Sequence, residues 1–234
     1  MIILHRAVNY EIKPETFKSN RPNWFSKQKC FKSIMNAFDQ ALTPCEIYSF
    51  IDGPRGDLSE YIESFKNVNV RHINANNNAA CLSYVYDVYL NEFAGQDVYF
   101  VEDDYLHLPH SIDLIYDGIM RFKLVTGYDH TDRYVRTDDA SYQRETIALG
   151  AMCHWRTAES TTCTWATRGG EWGIKLVKLA QQYLLEDRAF FRNLINSEVR
   201  LYTPIPGCTA HMNESQLSPF TNWQAFNDSL LHQN

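Results

Sequence analysis

Three consecutive carboxylates stand at the end of an apolar run in the first half of the chain. Residues 98–107 read VYFVEDDYLH, so a segment of β-branched and aromatic residues ends in Glu102, Asp103 and Asp104. Such a segment is typical of a strand, and open α/β sheets bind ligands at the carboxyl ends of their strands. Carboxylates this close repel one another unless a cation or a hydrogen-bonding network neutralises them. The pattern predicts a divalent metal ion that holds a phosphorylated ligand, with a solvated acidic corner as the alternative.

The segments before this run alternate between strand and helix patterns. Apolar runs typical of strands alternate with apolar residues at helical spacing. The predicted strands are 1–8, 45–51, 68–73 and 97–101, and the predicted helices are 24–42, 58–65 and 79–93. This β-α-β-α-β order predicts a mainly parallel sheet in an α/β fold. The polar loop at 13–23 follows the first strand, and a nucleotide site would open there.

The pattern changes after a further predicted helix at 111–122. Residues 147–155 and 160–166 predict the two strands of a hairpin, added antiparallel at the edge of the sheet. Two helices and a short strand follow, and 207–234 shows no strong periodicity. The chain contains neither GxGxxG nor GxxxxGK[ST], so a dinucleotide loop and a P-loop are not supported. A metal ion at a strand-end carboxylate cluster is the physical alternative for holding a diphosphate.

Composition limits the function classes. The 234 residues carry a formal net charge of -6, which argues against a surface that covers nucleic-acid phosphates. The six cysteines are scattered without zinc-ligand spacing, so we expect buried thiols in a reducing compartment, with three disulfides as the alternative. No apolar run is long enough for a signal core or a membrane span. We therefore expect a cytoplasmic protein without an integral membrane span.

Four short motifs carry a resemblance to a known family. Residues 49–53 read SFIDG, 100–107 read FVEDDYLH, 185–187 read LED, and 204–212 read PIPGCTAHM. In this order and spacing they resemble the motifs of glycosyltransferases of the GT-A fold. The closest resemblance is to the large inverting family, family 2-like, that includes many polysaccharide-building enzymes and uses nucleotide-sugar donors.

The resemblance implies an architecture. It is a Rossmann-type α/β three-layer sandwich, with a mainly parallel central sheet and antiparallel edge additions. A single domain over 1–234 would contain a nucleotide-sugar-binding half, 1–107, and an acceptor-binding half, 108–234, that supplies the catalytic base. The implied partners are a nucleotide-diphosphate sugar and a glycan acceptor.

The resemblance also implies roles for individual acids. Glu102 and Asp104 take the outer positions of a DXD-like motif and, with His211, would hold Mn²⁺ or Mg²⁺. Asp103 would serve the donor's ribose. The remaining two acids are Asp52, which would contact the donor's base, and the catalytic base Asp187.

Each of the two later residues has a structural alternative. Asp187 is also the type of residue that the macrodipole favours at a helix N-terminus. The structural alternative for His211 is a core or loop histidine whose hydrogen bonds are satisfied within the protein. Without the resemblance, the structural alternative is the better interpretation of both.

Four further residues are candidates for ligand binding. Arg6, near the end of the first strand, and Arg55, after the Asp52 turn, would meet the donor's phosphates or base, with surface solvation as the alternative. Trp155 and Arg156 lie in the region that the resemblance assigns to the acceptor. Trp155 would stack on a sugar ring or would be an ordinary core tryptophan of the hairpin.

The segment YDHTDRY, residues 128–134, holds Asp129, His130 and Asp132 close together. We interpret it as an acceptor-side loop, with a second metal site as the alternative.

Two rival functions remain open. A sugar-phosphate nucleotidyltransferase shares the general architecture, but no glycine-rich signature with a following Arg and Lys appears after the first strand. A catalytically inactive relative would keep the fold and bind a glycan or a nucleotide. Glu102 in place of the commoner Asp keeps this second rival open.

Overall fold

Strands and helices alternate through the first half of the chain, as the apolar pattern predicts. The computed structural model describes residues 1–9, 20–131, 134, 146–197 and 199–230. The strands are β1 Ile2–Val8, β2 Glu46–Asp52, β3 Val68–Ile73, β4 Val98–Glu102, β5 Tyr105–His107, β6 Leu124–Val125, β7 Ile147–Leu149, β8 His154–Ala158, β9 Trp165–Thr167, β10 Leu201–Ile205 and β11 Thr209–His211. The helices are α1 Lys27–Gln40, α2 Asp57–Glu63, α3 Asn78–Val88, α4 Ser111–Phe122, α5 Gly170–Ala180, α6 Asp187–Asn196 and α7 Trp223–Ser229.

Nine of these strands form one sheet in the order β3-β2-β1-β4-β9-β6-β10-β8-β7. The pairs β3-β2, β2-β1, β1-β4 and β6-β10 are parallel. The strand β9 is antiparallel to both of its neighbours, and β8 is antiparallel to β10 and β7. Of the nine strands, β8 and β9 run against the direction of the rest. The mainly parallel sheet with antiparallel additions is therefore confirmed.

Helices cover both faces of the sheet. Successive residues of β1 point to opposite faces, so Ile2 and Leu4 pack with α3, α5 and α6, whereas Ile3 and Ala7 pack with α1, α2 and α4. Each face buries large aromatic side chains, such as Trp165 on the face covered by α3, α5 and α6. Two apolar interfaces on one sheet make the three-layer sandwich that the sequence predicts.

The hairpin differs from its prediction. The segment 147–155 turns back on itself at Gly150, whose N–H donates to the carbonyl oxygen of Cys153 at 2.8 Å, so β7 and β8 form the edge hairpin. Positive φ angles at Thr162 and Cys163 then redirect the chain. As a result β9 enters the middle of the sheet between β4 and β6 and does not pair with β8. The prediction that 160–166 completes the hairpin is wrong.

The segment after Gly207, which shows no periodicity in sequence, is ordered around a small ribbon. β11 pairs antiparallel with β5, directly after the carboxylate triplet. Helix α7 covers this ribbon, because Trp223 packs with Leu106, Ala210 and Met212 in a separate apolar cluster. The indole N–H of Trp223 donates to the carbonyl oxygen of Ser218 at 2.7 Å. The last part of the chain therefore brings β11 beside the acidic residues.

Within the described residues, the helices are too short or too polar to cross a membrane.

Candidate functional site

The carboxyl ends of β1, β2 and β4 meet at one edge of the sheet. Val8 lies opposite Asp52 on β2, and Arg6 lies opposite Glu102 on β4. Parallel strands that end together bring the residues after them together as well. Asp103 and Asp104 therefore project from the same edge as Arg6 and Asp52.

Glu102 forms an ion pair with Arg6. The guanidinium also donates to the side chain of Asn78 and, at 3.3 Å, to its carbonyl oxygen at the start of α3. Burial raises the pKa of Glu102 against the opposing effect of Arg6. Burial acts to lower the pKa of Arg6, but the effect of the Glu102 carboxylate is larger and raises this pKa. The Glu102 carboxylate is thus held by a cation of the protein.

Asp103 binds the first helix. Its Oδ2 atom accepts a hydrogen bond from the backbone N–H of Val8 at 2.9 Å and forms an ion pair with Lys27 Nζ at 2.8 Å. Lys27 also donates to the carbonyl oxygen of Val8 at 2.7 Å. The first residue of α1 is therefore tied to the end of β1 through this carboxylate.

Asp104 has two basic partners, Arg21 and His211. Its Oδ2 atom lies 2.6 Å from Arg21 Nη2 and 3.2 Å from His211 Nε2. Burial acts to raise the pKa of Asp104, but His211 and Arg21 outweigh it and hold that pKa well below its usual range. Burial acts to lower the pKa of His211, and the Asp104 carboxylate reverses this effect and raises it. The sequence-predicted pair of Asp104 and His211 is brought together by the pairing of β5 with β11.

The repulsion among the three carboxylates is relieved by the protein itself. Glu102, Asp103 and Asp104 each have their own cation, respectively Arg6, Lys27 and Arg21. The three acids therefore do not need a metal ion for neutrality.

A metal ion fits only part of the predicted ligand set. Within the described residues, no group of three or more His, Cys, Asp or Glu side chains is arranged to hold one. However, Asp104 Oδ1 and His211 Nδ1 are buried without a hydrogen-bond partner among those residues. Mg²⁺ often takes one or two protein ligands and completes its shell with phosphate and water. Asp104 suits this role through Oδ1, whereas Glu102 does not, because its carboxylate is committed to Arg6. His211 Nδ1 is on the far side of the ring from the Nε2 atom that contacts Asp104, so His211 and Asp104 Oδ1 do not face one ion in this arrangement.

Asp52 shapes the loop beside the cluster. It is fully buried, and its Oδ1 atom accepts hydrogen bonds from the backbone N–H groups of Ala75 at 2.7 Å and Asn76 at 3.1 Å. Asn77 caps α3 by accepting from the N–H of Ala80, so this asparagine has the capping role.

Arg55 lies apart from these residues. Its side chain is 70% exposed and pairs with Glu63 of α2 at 3.2 Å. The surface pair agrees with the alternative role of Arg55, and the contact of Arg55 with the donor stays a prediction.

Asp187 is linked to the acidic triplet through one loop. Its Oδ2 atom accepts hydrogen bonds from the backbone N–H groups of Thr161 at 2.8 Å and Thr162 at 2.7 Å. The carbonyl oxygen of Thr161 in turn accepts from the hydroxyl of Tyr105 at 2.7 Å. In the same loop, Thr164 accepts from the N–H of Glu102 at 3.3 Å. Asp187 thus opens α6 close to the site and also fixes the loop beside it.

The predicted acceptor residues are buried. Trp155 has no exposed surface and packs in the core against Phe122, with ring centroids 5.5 Å apart. The sugar-stacking prediction is therefore wrong, and the core alternative holds. Arg156 is also buried, and its Nε atom donates to Asp129 at 3.0 Å, so it fixes the segment at 128–130 and does not face an acceptor. This pair also commits Asp129 to Arg156, and Asp132 lies outside the described residues.

Sequence analysis missed two cations of the site, Arg21 and Lys27. Both follow β1. Arg21 lies in the loop at 13–23, where a nucleotide site was expected to open, and Lys27 is the first residue of α1. A single cation in a polar segment has no periodic signal, so its partner becomes visible only in three dimensions.

No protein-family model and no curated protein matches the sequence. Among solved structures, the chain is similar to S. aureus TarS 1-349 in complex with UDP, with a TM-score of 0.51 and 14% identity, over 87% of this chain and 57% of that one. It is also similar to 4-diphosphocytidyl-2C-methyl-D-erythritol synthase, with a TM-score of 0.52 and 9% identity, over 99% of this chain and 98% of that one. The corresponding synthase from Anaerococcus prevotii has a TM-score of 0.50 and 10% identity, over 99% of this chain and 96% of that one. The chain thus spans little more than half of the TarS fragment and nearly all of the synthases. Likeness at these identities concerns the fold, and the fold of this chain is GT-A-like.

Proposed function

We propose that this protein is a glycosyltransferase that moves a sugar from a nucleotide-diphosphate sugar to an acceptor hydroxyl, with inversion, in glycan or polysaccharide synthesis. The observation that supports it most is the convergence of Asp52, Asp103 and Asp104 at the carboxyl ends of β1, β2 and β4, with His211 brought in by β11. Ligands of open α/β sheets bind at this edge. The structure of TarS with UDP adds support for a nucleotide ligand on this fold.

In this proposal the donor lies over the first half of the chain, 1–107. The loop that the buried Asp52 shapes would receive the nucleobase, and Asp103 would receive the ribose. Arg6 acts indirectly, because its guanidinium fixes Glu102 and the start of α3. The second half, 108–234, receives the acceptor and supplies the catalytic base.

Asp104 and His211 would hold Mn²⁺ or Mg²⁺ next to the donor's diphosphate. The support is the buried Asp104 Oδ1 atom, which has no hydrogen-bond partner among the described residues, and the position of His211 beside the same carboxylate. His211 would have to turn its ring away from Asp104 Oδ2 to present a nitrogen to the ion. A bound cation would stabilise the negative charge on the departing diphosphate.

Asp187 is the proposed base that removes the proton of the acceptor hydroxyl as it attacks the anomeric carbon. Its support is its position beside the loop that contacts Glu102 and Tyr105. The same contacts also give Asp187 a structural role, and the variants Asp187→Asn and Asp187→Ala separate the two roles.

A nucleotidyltransferase is the second candidate. The similarity to a diphosphocytidyl synthase extends over 99% of this chain and 98% of that one. In addition, Arg21 and Lys27 follow β1 and lie beside the acids. Against this candidate, the segment between β1 and α1 contains no glycine, so it lacks the glycine-rich turn that we expect of such an enzyme.

The products distinguish the two candidates. We would incubate the protein with a panel of nucleoside-diphosphate sugars and Mn²⁺, and separately with CTP or UTP plus sugar phosphates. Release of nucleoside diphosphate from one donor, together with calorimetric binding of that diphosphate, is the expected result. Release of pyrophosphate from the triphosphates would establish the second candidate. Binding without either product would identify an inactive relative, and absence of nucleotide binding would overturn the proposal.

A further inference from the structure

Two exposed aromatic side chains, Tyr134 and Phe220, contact each other in the second half of the chain. Tyr134 is 44% exposed and Phe220 is 73% exposed, although phenylalanine is among the residues that are most often fully buried. Their ring centroids lie 5.3 Å apart, and the ring planes are nearly perpendicular. This edge-to-face contact is a favourable one between aromatic rings. Tyr134 and Phe220 therefore form one aromatic surface, which we call the aromatic pair.

The direction of the strands places the aromatic pair on the edge of the sheet that carries the candidate site. Because β9 is antiparallel to both β4 and β6, β6 runs parallel to β4, and β10 runs parallel to β6. Tyr134 follows the carboxyl end of β6, and Phe220 follows β10 and β11. Ser218 joins these two segments, because its hydroxyl accepts from the N–H of Asp129 at 3.2 Å and donates to the carbonyl oxygen of Thr209 at 2.7 Å.

A buried ion pair holds Tyr134 in place. Its hydroxyl donates to Asp129 Oδ2 at 2.5 Å, and the guanidinium of Arg156 lies 5.8 Å from the centroid of its ring. Asp129 and Arg156 are both buried and form an ion pair with each other. A side chain that is fixed before binding loses little conformational entropy when a ligand packs on it. The exposed ring of Tyr134 is therefore preorganised for a ligand.

The backbone around Phe220 keeps its ring at the surface. Phe220 has a φ of 70°, in the left-handed region that residues other than glycine adopt uncommonly. The chain is anchored just before it, because Ser218 is buried and its carbonyl oxygen accepts from the indole N–H of Trp223 at 2.7 Å. An exposed apolar ring on a strained backbone is not explained by packing, and backbone strain is concentrated at ligand sites.

The chemistry around the aromatic pair suits a carbohydrate. Residues 213–222 read NESQLSPFTN, with one charged residue and six that carry an amide or a hydroxyl. The faces of a sugar ring present C–H groups to aromatic rings, and its hydroxyl groups bind amide and hydroxyl side chains. Nucleic acid would instead require clustered Lys and Arg, and a lipid surface would require a larger apolar face.

We propose that Tyr134 and Phe220 bind a sugar ring of the acceptor glycan, other than the ring that receives the donor's sugar. This inference rests on the proposed function, in which the reacting hydroxyl lies beside Asp187. The loop that Asp187 fixes contacts Tyr105, whose ring centroid lies 5.7 Å from that of Tyr128. The aromatic pair is joined to the residue after Tyr128, so it lies beyond both of these rings. The acceptor class is therefore an oligosaccharide, because one chain of sugars can reach both Asp187 and the aromatic pair.

Tyr84 provides a matched control. It is 41% exposed, nearly as much as Tyr134, and its ring lies 6.1 Å from that of Phe50 on β2, in the first half of the chain. Tyr84→Ala and Tyr134→Ala remove the same side chain at similar exposure. At the other ring, Phe220→Leu keeps an apolar side chain but has no aromatic face, whereas Phe220→Trp keeps one.

The test measures binding and does not depend on turnover. Calorimetry in the presence of UDP would use linear hexasaccharides of glucose, galactose, mannose, xylose or N-acetylglucosamine, and the corresponding monosaccharides. We expect wild type to bind at least one hexasaccharide, and more tightly than its monosaccharide. Phe220→Ala, Phe220→Leu and Tyr134→Ala should each bind that hexasaccharide about tenfold more weakly, because a stacking contact is lost. Tyr84→Ala and Phe220→Trp should bind it within about threefold of wild type.

Measurements on Phe220→Ala separate binding from folding. Its UDP affinity and thermal midpoint should equal those of wild type, since the Phe220 ring is largely exposed and does not contact the donor. Should Tyr134→Ala not fold without its bond to Asp129, the Phe220 variants still decide the outcome.

Other results would overturn the inference in distinguishable ways. Wild-type hexasaccharide affinity in Phe220→Ala would exclude the aromatic pair from the acceptor site, and wild-type affinity in Phe220→Leu would exclude aromatic stacking. Binding of phosphatidylcholine vesicles that depends on Phe220, without binding of a hexasaccharide, would assign the rings to a membrane surface. If UDP binds but no hexasaccharide does, the inference fails while a nucleotide-dependent transferase stands. If a hexasaccharide binds through Phe220 but no nucleotide binds, the proposed function itself fails, and the acceptor role fails with it.

Discussion

Glu102 and Asp104 are close in sequence, but their partners give them different roles. Glu102 pairs with Arg6, which is 6% exposed, and Asp104 pairs with Arg21 and His211. Removing one partner of a buried ion pair leaves an uncompensated charge, whereas removing a metal ligand removes metal affinity. These two consequences can be measured separately.

We predict that Glu102→Gln lowers the free energy of unfolding by about 3 kcal/mol, because Arg6 remains buried without its carboxylate. Its Mn²⁺-dependent UDP binding should stay within about threefold of wild type, since the carboxylate is not a proposed ligand. Urea denaturation and calorimetry test the two parts. The control is Glu171→Gln, which breaks an exposed pair with Lys175 and should not change stability measurably. Loss of Mn²⁺ binding in Glu102→Gln would restore Glu102 as a metal ligand.

Asp104→Asn should show the converse behaviour. The amide keeps an acceptor for Arg21 but lacks the charge that a divalent cation needs, so Mn²⁺ should no longer improve UDP binding. Calorimetry with and without Mn²⁺ measures this difference. A variant that retains the metal effect would exclude Asp104 from the site.

Asp187 has two possible roles that two substitutions separate. Asp187→Asn keeps an oxygen for the N–H groups of Thr161 and Thr162, so UDP binding should be preserved. The amide cannot act as a general base, so turnover of Asp187→Asn should fall by about 10²- to 10⁴-fold. Asp187→Ala should in addition destabilise the loop by about 1–3 kcal/mol, because the two N–H groups lose their acceptor. Full turnover of Asp187→Asn would leave Asp187 with only its structural role.

At the scale of elements, α4 lies very close to β8. A Cβ atom at Gly118 would come within 2.3 Å of the Trp155 ring, so no side chain fits at this position of α4. Alanine favours a helix over glycine by about 1 kcal/mol. The steric overlap with Trp155 destabilises the protein by more than this gain.

We predict that Gly118→Ala destabilises the protein by about 1–3 kcal/mol, because the overlap with Trp155 forces α4 or the indole to shift. Thermal or urea denaturation gives the value. In the double variant with Trp155→Phe, the smaller ring leaves room for the methyl group, so the combined loss should be less than the sum of the single losses. Simple additivity would show that Gly118 and Trp155 are not coupled.

Elements with a local signal were predictable from the sequence. The strand Val68–Ile73 and the helix Ser111–Phe122 agree with their predicted bounds, because their apolar spacing is local. The position of β9 was not predictable, because periodicity does not determine which strands become neighbours. The same limit applies to the site. The motifs indicated Asp104 and His211, whereas Arg21 lies in a polar segment and its ion pair depends on the folded arrangement.

At the scale of the whole molecule, two buried histidines make stability depend on pH. Burial lowers the pKa of His5 from 6.5 to about 4 and that of His107 from 6.5 to about 3. In the unfolded chain both take up protons as the pH falls through 6.5, while in the folded protein they remain neutral until much lower pH. Unfolding therefore takes up protons between pH 6.5 and about 4, and stability falls as the pH falls through this range.

We predict that His107→Gln makes the free energy of unfolding less dependent on pH between 6.5 and 4.5, by about 1 kcal/mol per pH unit. The amide can still accept from the hydroxyl of Tyr99, which lies 2.9 Å from the imidazole in the native protein. Urea denaturation across this pH range measures the slope. The exposed His110 supplies the control, since His110→Gln removes an imidazole that is solvated in both states. An unchanged slope in His107→Gln would contradict the role of its burial.

The central position of β9 has a consequence for synthesis of the chain. Val98–Phe100 on β4 pair with Trp165–Thr167, which are translated much later than β4 itself. On the ribosome, β4 can pair with β1 as soon as it emerges, but its other edge stays open until β9 has been made. An open strand edge is a template for pairing with other chains. The interval between the translation of these two strands is therefore when the nascent chain most needs protection from wrong strand pairing.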